Sequence, residues 1–395
     1  MKKCFVACLF IFASSLSATD ANINSKISNK ENAKMSNQQS IPACTVPNYD
    51  SVILDEPNVI FIVPFSDYMI ANYPPKLRFR DGMDFAKWQK EGKAKLAELL
   101  LVDKMFAAPK VDLAPRTLWK KDFPFGTVEK IVVTTEAGVD MPMYFCLPHG
   151  ATGKLPAFIC LQGHSTGMHK SIGVEFTDET TPLVIDGDRD FAVQCVKRGF
   201  AALCIEQRAF GERSGNPDHK PNCRNIAPRL MMHGRTTIGC RVFDVDRGID
   251  YLLTRPEIDA KQIGVMGNSG GGTTSIYAGA LLDRLSFVMP SSCFSTYYDS
   301  IIRQYHCICN YAPGLQEYFD MGDIAGLCAP KLLVIVNGKD DRIFPLGAAK
   351  NEFAQAEKIY RASGNGNNCR HVIGHEGHRF YAEPAFAAFQ EIRGK

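Results

Sequence analysis

Short apolar runs alternate with longer amphipathic runs along most of the chain. The apolar runs that predict strands are Ala157–Gln162, Ala201–Glu206, Ile263–Gly267, Phe287–Pro290, Lys331–Asn337 and His371–Ile373. Apolar residues at helical spacing predict helices at Asp190–Arg198, Arg235–Leu253, Gly271–Leu282, Leu346–Ala362 and Glu383–Ile392. Short apolar strands separated by amphipathic helices are typical of a parallel sheet with helices on both faces. The pattern therefore predicts an α/β fold.

The pattern changes on the N-terminal side of these alternating runs. Val128–Thr135 and Met141–Leu147 alternate apolar and polar residues around a turn, which predicts a hairpin and an antiparallel edge on the parallel sheet. Asp84–Val102 has one broad apolar face and predicts a helix. We therefore expect residues 46–126 to form a helical and extended segment that packs on the core, and residues 127–395 to form the α/β domain.

The first 45 residues differ from the rest of the chain. Residues 1–18 combine a basic start, an apolar run and a small-residue exit at Ala18, as in a secretory signal peptide. Residues 19–45 are rich in Asn, Ser and Lys and contain almost no large apolar side chain, so we expect a flexible linker. The mature protein is therefore expected to be secreted or periplasmic and free of the membrane.

Composition narrows the class of protein. The chain has 395 residues, with 45 basic and 42 acidic side chains and a formal net charge of +3. The balance of charge and the lack of a basic tract argue against nucleic-acid binding. With 45% hydrophobic residues, a chain of this length can bury a large core without disulfides.

Cysteine is abundant, with 14 residues in the chain. Those inside apolar runs, such as Cys146, Cys160 and Cys204, are expected to be free and buried, because thiols there behave as small hydrophobes. One or two disulfides are expected at most, among loop cysteines such as Cys223, Cys240, Cys307 and Cys309.

The strongest chemical signal is a serine between an apolar strand and a helix. The sequence Gly267-Asn268-Ser269-Gly270-Gly271 has the Gly-x-Ser-x-Gly form of a nucleophile on a sharp strand-to-helix turn. Side chains two residues either side of such a serine would collide, so glycine is required there. Ser269 is therefore the candidate nucleophile.

A serine nucleophile needs a base and an acid, which in this arrangement follow it along the chain. Asp341 lies in the loop after a predicted strand, and its Gly-x-x-Asp-x-x-x-Pro spacing favours it over Asp340. His378 follows a glycine, precedes an aromatic residue near the C-terminus and is favoured over His375. The predicted triad is Ser269, Asp341 and His378.

An oxyanion hole requires two N–H donors. The backbone N–H of Gly270, directly after the nucleophile, is the first candidate, and that of His164, after an early strand, is the second.

Metal binding has weaker support. The pair His375 and His378 lacks a third ligand, and Cys307 with Cys309 has no evident partner pair. We therefore expect no metal and no cofactor.

The chain resembles the α/β-hydrolase superfamily, most closely its acetyl xylan esterase-like and dienelactone hydrolase-related branch. The segments that carry the resemblance are Leu161-Gln162-Gly163-His164, Glu206-Gln207-Arg208-Ala209-Phe210-Gly211-Glu212-Arg213, Gly267-Asn268-Ser269-Gly270-Gly271, Gly338-Lys339-Asp340-Asp341 and Gly377-His378-Arg379-Phe380. The resemblance implies an α/β-hydrolase fold and puts Ser269, Asp341 and His378 at the family's triad positions.

The chain departs from its relatives at two places. Dienelactone hydrolases proper use a cysteine nucleophile where this chain has Ser269. The better-known acetyl xylan esterases have Asp-x-Arg-Gly where this chain has Glu206-Gln207-Arg208-Ala209. The resemblance therefore implies the fold and ester chemistry, and leaves the substrate open.

We expect a serine hydrolase that cleaves carboxylic esters, with short acyl groups such as acetyl and with small-molecule or carbohydrate substrates. The alternatives are a peptidase resembling the prolyl oligopeptidase group and a non-catalytic hydrolase-like binding protein. The oligomeric state stays open.

Overall fold

The computed structural model describes residues 62–394, so the predicted signal peptide and linker lie outside the described residues. Within this range the chain forms a nine-stranded sheet. The strands are β1 Arg116–Phe123, β2 Gly126–Glu136, β3 Val139–Leu147, β4 Leu155–Leu161, β5 Ala201–Ile205, β6 Ile258–Asn268, β7 Phe287–Ser291, β8 Leu332–Gly338 and β9 Cys369–Gly374. Their order across the sheet is β1-β2-β3-β5-β4-β6-β7-β8-β9.

The sheet is antiparallel on its N-terminal side and parallel elsewhere. Strands β1, β2, β3 and β5 pair antiparallel in turn. From β5 through β4 to β9 every pairing is parallel. The predicted fold class, a mostly parallel sheet with an antiparallel N-terminal edge, is confirmed. The edge strand β1 was not predicted, because its mostly exposed sequence Arg-Thr-Leu-Trp-Lys-Lys-Asp-Phe carries little apolar pattern.

Helices cover the sheet. They are α1 Ile62–Asn72, α2 Phe85–Leu99, α3 Asp103–Ala107, α4 Phe191–Val196, α5 Cys223–Met232, α6 Thr237–Leu252, α7 Gly270–Leu281, α8 Leu315–Tyr318, α9 Met321–Leu327, α10 Leu346–Ala362 and α11 Ala382–Arg393. The helices predicted from periodicity lie within a few residues of α2, α4, α6, α7, α10 and α11. Helix α5, which has Pro228 in its interior, was not predicted. No helix of residues 62–394 has both the length and the apolarity needed to cross a membrane.

Each face of the sheet has its own hydrophobic core. On β4, Ile159 belongs to the core formed with α2, α6, α7, α9 and α10, whereas its neighbour Phe158 belongs to the core formed with α4 and α11. Successive side chains of a strand point to opposite faces, so a run such as Phe158–Leu161 is apolar throughout only if both faces are buried. The two cores hold the C-terminal ends of β4, β6 and β8 in fixed positions, and the candidate site lies at these ends.

Candidate active site

The turn between β6 and α7 presents Ser269. This residue has φ 56° and ψ −124°, a strained conformation for a residue with a side chain. A Cβ at Gly267 would lie 2.6 Å from the carbonyl carbon of Gly271, and one at Gly271 would overlap the carbonyl oxygen of Leu161. The Ser269 N–H donates to the Ser291 carbonyl at 2.8 Å, which ties the turn to β7. The glycines are therefore required by the close approach of backbone on both sides.

The loop after β8 holds a buried carboxylate. Asp341 is only 4% exposed, and its Oδ1 accepts the N–H groups of Ile343 at 2.9 Å and Phe344 at 3.2 Å. Its Oδ2 lies 2.8 Å from Nδ1 of His378. These contacts fix the carboxylate and turn Nδ1 of the imidazole towards it, which leaves Nε2 for another partner.

The structure brings Asp341 and His378 together and leaves their rivals at the surface. The side chain of Asp340 is 65% exposed beside Lys339, and that of His375 is 79% exposed beside Glu376. The His378 ring also stacks on Phe344 at 16°, with ring centroids 6.0 Å apart. Asp341 and His378, which their spacing favoured over Asp340 and His375, are therefore the aspartate and histidine that pair.

Ser269 and His378 line one open cavity of about 340 Å³. The rest of its wall is formed by Gln162, Gly163, His164, Ser165, Arg189, Asn268, Gln304, Tyr305, His306, Cys307 and Ile343. Nδ1 of His306 lies 2.8 Å from Nδ2 of Asn310, and burial lowers the pKa of His306 to about 4. The cavity wall therefore includes a neutral imidazole besides His378.

The two candidate oxyanion residues are neighbours. Gly270 begins α7, where the first N–H groups have no acceptor within the helix. A Cβ at Gly163 would lie 3.0 Å from Cβ of Ser269, so the loop that carries His164 runs directly beside the nucleophile. A Cβ on Gly270 would lie 3.2 Å from the His164 ring. The structure thus brings Gly270 and His164 to the nucleophile.

Residues after β5 brace this loop, a role that the sequence did not reveal. The Gln207 side chain donates to the Gln162 carbonyl at 2.5 Å and accepts the Thr274 hydroxyl at 2.6 Å. It therefore joins the loop that carries His164 to α7.

Buried ion pairs hold the same segment. Arg208 contacts both carboxylate oxygens of Asp244 at 2.9 Å, and Arg213 contacts Asp244 at 2.7 Å. Burial raises the pKa of the nearby Glu206 carboxyl to about 8, although this group accepts the Met168 N–H.

The arrangement of the cysteines differs from the prediction in two ways. Among residues 62–394 there are eleven cysteines, all free, so the expected loop disulfides are not found there. The expectation that Cys307 and Cys309 lack a partner pair is wrong: ligand atoms of His164, Cys223, Cys307 and Cys309 lie within 4.8 Å of one another. These residues are far apart in sequence, and no local spacing could have linked them.

Comparison with known proteins decides the family. A model described as the Abhydrolase family matches residues 59–371. The chain belongs to this family. The expected resemblance to the α/β-hydrolase superfamily and its acetyl xylan esterase-like branch is thereby confirmed.

Individual relatives are distant. A Bacillus subtilis (strain 168) protein named as the hydrolase YtaP is 23% identical to this chain over 259 residues. The match covers 64% of this chain and 82% of YtaP. A Bacteroides fragilis NCTC 9343 protein named as an acetyl xylan esterase superposes with a TM-score of 0.66 at 17% sequence identity. The match covers 81% of this chain and 84% of that protein. A glucuronoyl esterase from Solibacter usitatus has a TM-score of 0.56 at 15% identity, covering 82% and 98%. At these identities the structural matches establish the fold.

Proposed function

We propose that this α/β hydrolase is a serine esterase that cleaves carboxylic esters through a covalent acyl-enzyme. One observation carries the proposal: a buried carboxylate, Asp341, lies 2.8 Å from an imidazole, His378, which shares a cavity with Ser269 on its strained turn. These are the residue types and the chain order of a nucleophile, acid and base in this fold.

The proposed reaction begins with proton transfer from the Ser269 hydroxyl to Nε2 of His378 as the oxygen attacks the ester carbonyl. Asp341 keeps the proton of neutral His378 on Nδ1 and stabilises the imidazolium. The N–H groups of Gly270 and His164 donate to the oxyanion. The imidazolium then protonates the leaving alcohol. In the second step water attacks the acyl-enzyme while His378 takes its proton, and the acid leaves as Ser269 regains a proton from His378.

Short acyl esters, including those on carbohydrate, are the proposed substrates. The cavity is open and has polar residues such as Gln162 and Gln304 in its wall, which suits a hydrated alcohol better than a long acyl chain. Two structural relatives, one named as an acetyl xylan esterase and one as a glucuronoyl esterase, are also named for esters of carbohydrate.

The test is a series of p-nitrophenyl esters from acetate to decanoate, run beside acetylated sugars and methyl uronates. We expect kcat/KM to fall as the acyl chain lengthens and Ser269→Ala to abolish turnover. Equal rates for long chains would refute the short-acyl proposal. Full activity of Ser269→Ala would refute the serine mechanism.

We also propose that the chain is exported, on the basis of residues 1–18 alone. N-terminal sequencing of the mature protein from its host should begin at Thr19, and an intact Met1 start would contradict export by cleavage.

A further inference from the structure

Three cysteine sulfurs and one histidine nitrogen converge at the loop that follows β4 and carries His164. Nε2 of His164 lies 3.3 Å from Sγ of Cys309 and 3.9 Å from Sγ of Cys223, and the sulfurs of Cys307 and Cys309 are 3.3 Å apart. All four donor atoms lie within 4.8 Å of one another. At ordinary bond lengths, the donors of a tetrahedral Cys₃His zinc site are separated by about 3.5–3.8 Å. The observed separations bracket that spacing.

The donors come from three separate parts of the fold. His164 follows β4, Cys223 begins α5, and Cys307 and Cys309 flank the start of a short 3₁₀ turn at Ile308–Asn310. That turn brings the two sulfurs of a Cys-x-Cys sequence together. When protein side chains fill all four coordination positions of a metal, no position is left for water, which is typical of a structural site rather than a catalytic one.

A buried cation next to the cluster is the second observation. Arg241 is 1% exposed, and its Nη2 lies 3.7 Å from Sγ of Cys223. Its Nε and Nη2 donate to the Arg208 carbonyl at 3.0 and 2.8 Å, its guanidinium lies 4.1 Å from the centre of the Phe210 ring, and its Nη1 has no hydrogen-bond partner. Within residues 62–394 no carboxylate forms an ion pair with it. An uncompensated buried charge is costly, so this guanidinium calls for a nearby negative charge.

We propose that His164, Cys223, Cys307 and Cys309 bind one structural Zn²⁺. Binding would displace three thiol protons, and three thiolates with a neutral imidazole leave a net charge of −1 on the complex. That charge matches Arg241. An all-thiol cluster would leave the cation unbalanced.

The proposed zinc site rests on the proposed esterase function, because it would fix the position of residues that line the candidate active site. His164 is both a ligand through its side chain and a candidate oxyanion donor through its backbone. Cys307 also lines the cavity, next to Tyr305 and His306. The zinc would therefore tie the loop that carries His164 to the cavity-lining segment at residues 305–307. The His164 side chain and the three cysteines act as positioning groups, whereas the His164 backbone N–H is the candidate oxyanion donor.

The metal is measured directly and without an activity assay. The full chain is produced in zinc-supplemented medium and purified without chelator, and its metal content is determined by inductively coupled plasma mass spectrometry. We expect one zinc per chain in the wild type and in Ser269→Ala, so that failure of the esterase proposal and failure of the zinc proposal are distinguishable. Cys223→Ala and Cys309→Ala should lose the zinc, whereas Cys369→Ala, a buried cysteine elsewhere, should retain it.

A second readout protects the test against variants that do not fold. Cobalt-substituted wild type should show thiolate-to-cobalt charge-transfer bands and the visible bands of tetrahedral Co²⁺. In folded Cys309→Ala, kcat should fall by up to about a hundredfold through a misplaced oxyanion donor, with KM little changed. The proposal is overturned if the zinc-grown wild type carries no stoichiometric metal. It is equally overturned if mass spectrometry finds a disulfide joining two of the three cysteines.

Discussion

Replacing Asp341 by Asn tests the proposed triad most specifically. The carboxylate accepts three hydrogen bonds, two on Oδ1 from the N–H groups of Ile343 and Phe344 and one on Oδ2 from His378. An asparagine that keeps its carbonyl towards the two backbone donors must turn its NH₂ towards Nδ1 of the imidazole. His378 would then accept at Nδ1 and carry its proton on Nε2, where it could not receive the serine proton. The flipped amide would instead set its NH₂ against two backbone donors.

In that second orientation Nδ1–H of His378 could still donate to the amide oxygen, but two backbone N–H groups would lose their acceptor. The first orientation should therefore predominate, and it disables the base without removing volume. We expect kcat to fall by about four orders of magnitude, which corresponds to about 5.4 kcal/mol of lost transition-state stabilisation. The assay is p-nitrophenyl acetate hydrolysis beside a thermal melt. Asp340→Asn, at a side chain that is 65% exposed, is the matched control and should keep its activity. If Asp341→Asn keeps activity within tenfold of the wild type, or if Asp340→Asn loses more activity than Asp341→Asn, Asp341 is not the acid that orients His378.

Three further predictions concern stability. Asp244→Ala removes the carboxylate that the buried Arg213 pairs with and one of the two that Arg208 pairs with, so the free energy of unfolding in urea should fall by about 3–5 kcal/mol; a loss below about 1 kcal/mol would contradict this. Glu206 has a folded-state pKa raised from 4.5 to about 8, so its contribution to stability is full below about pH 4.5 and is lost as pH rises towards 8. In Glu206→Gln this decline should flatten, and an unchanged pH profile of the melting temperature would count against it. Gly267→Ala should lower both the melting temperature and kcat, because its methyl meets backbone at 2.6 Å, whereas Gly347→Ala enters open space and should lower neither.

The sheet was predictable because both of its faces are buried. Strands such as β4 and β8 are continuous apolar runs, and the amphipathic helices beside them, such as α10, have one polar face. The edge strand β1 lacks this pattern because most of its side chains are exposed, and α5 has a proline, Pro228, in its interior. Their positions depend on neighbours that only the tertiary structure supplies.

The candidate site was predictable where local backbone geometry constrains residue type. Ser269 requires glycines around it, and the loops of Asp341 and His378 carry recognisable spacing. By contrast, Cys223 meets Cys309 and His164 through contacts between residues far apart in sequence. Similarly, the bracing role of Gln207 depends on a hydrogen bond to Thr274, 67 positions away. Local patterns do not encode such contacts.

The central claim is that Ser269 is an activated nucleophile. The most direct measurement is labelling of the native chain with a fluorophosphonate, followed by peptide mass spectrometry. We expect one covalent phosphonyl adduct, on the peptide that contains Ser269. Labelling should be lost in Ser269→Ala and strongly slowed in His378→Ala but retained in His375→Ala. Labelling at another residue, or none in the folded wild type, would contradict it.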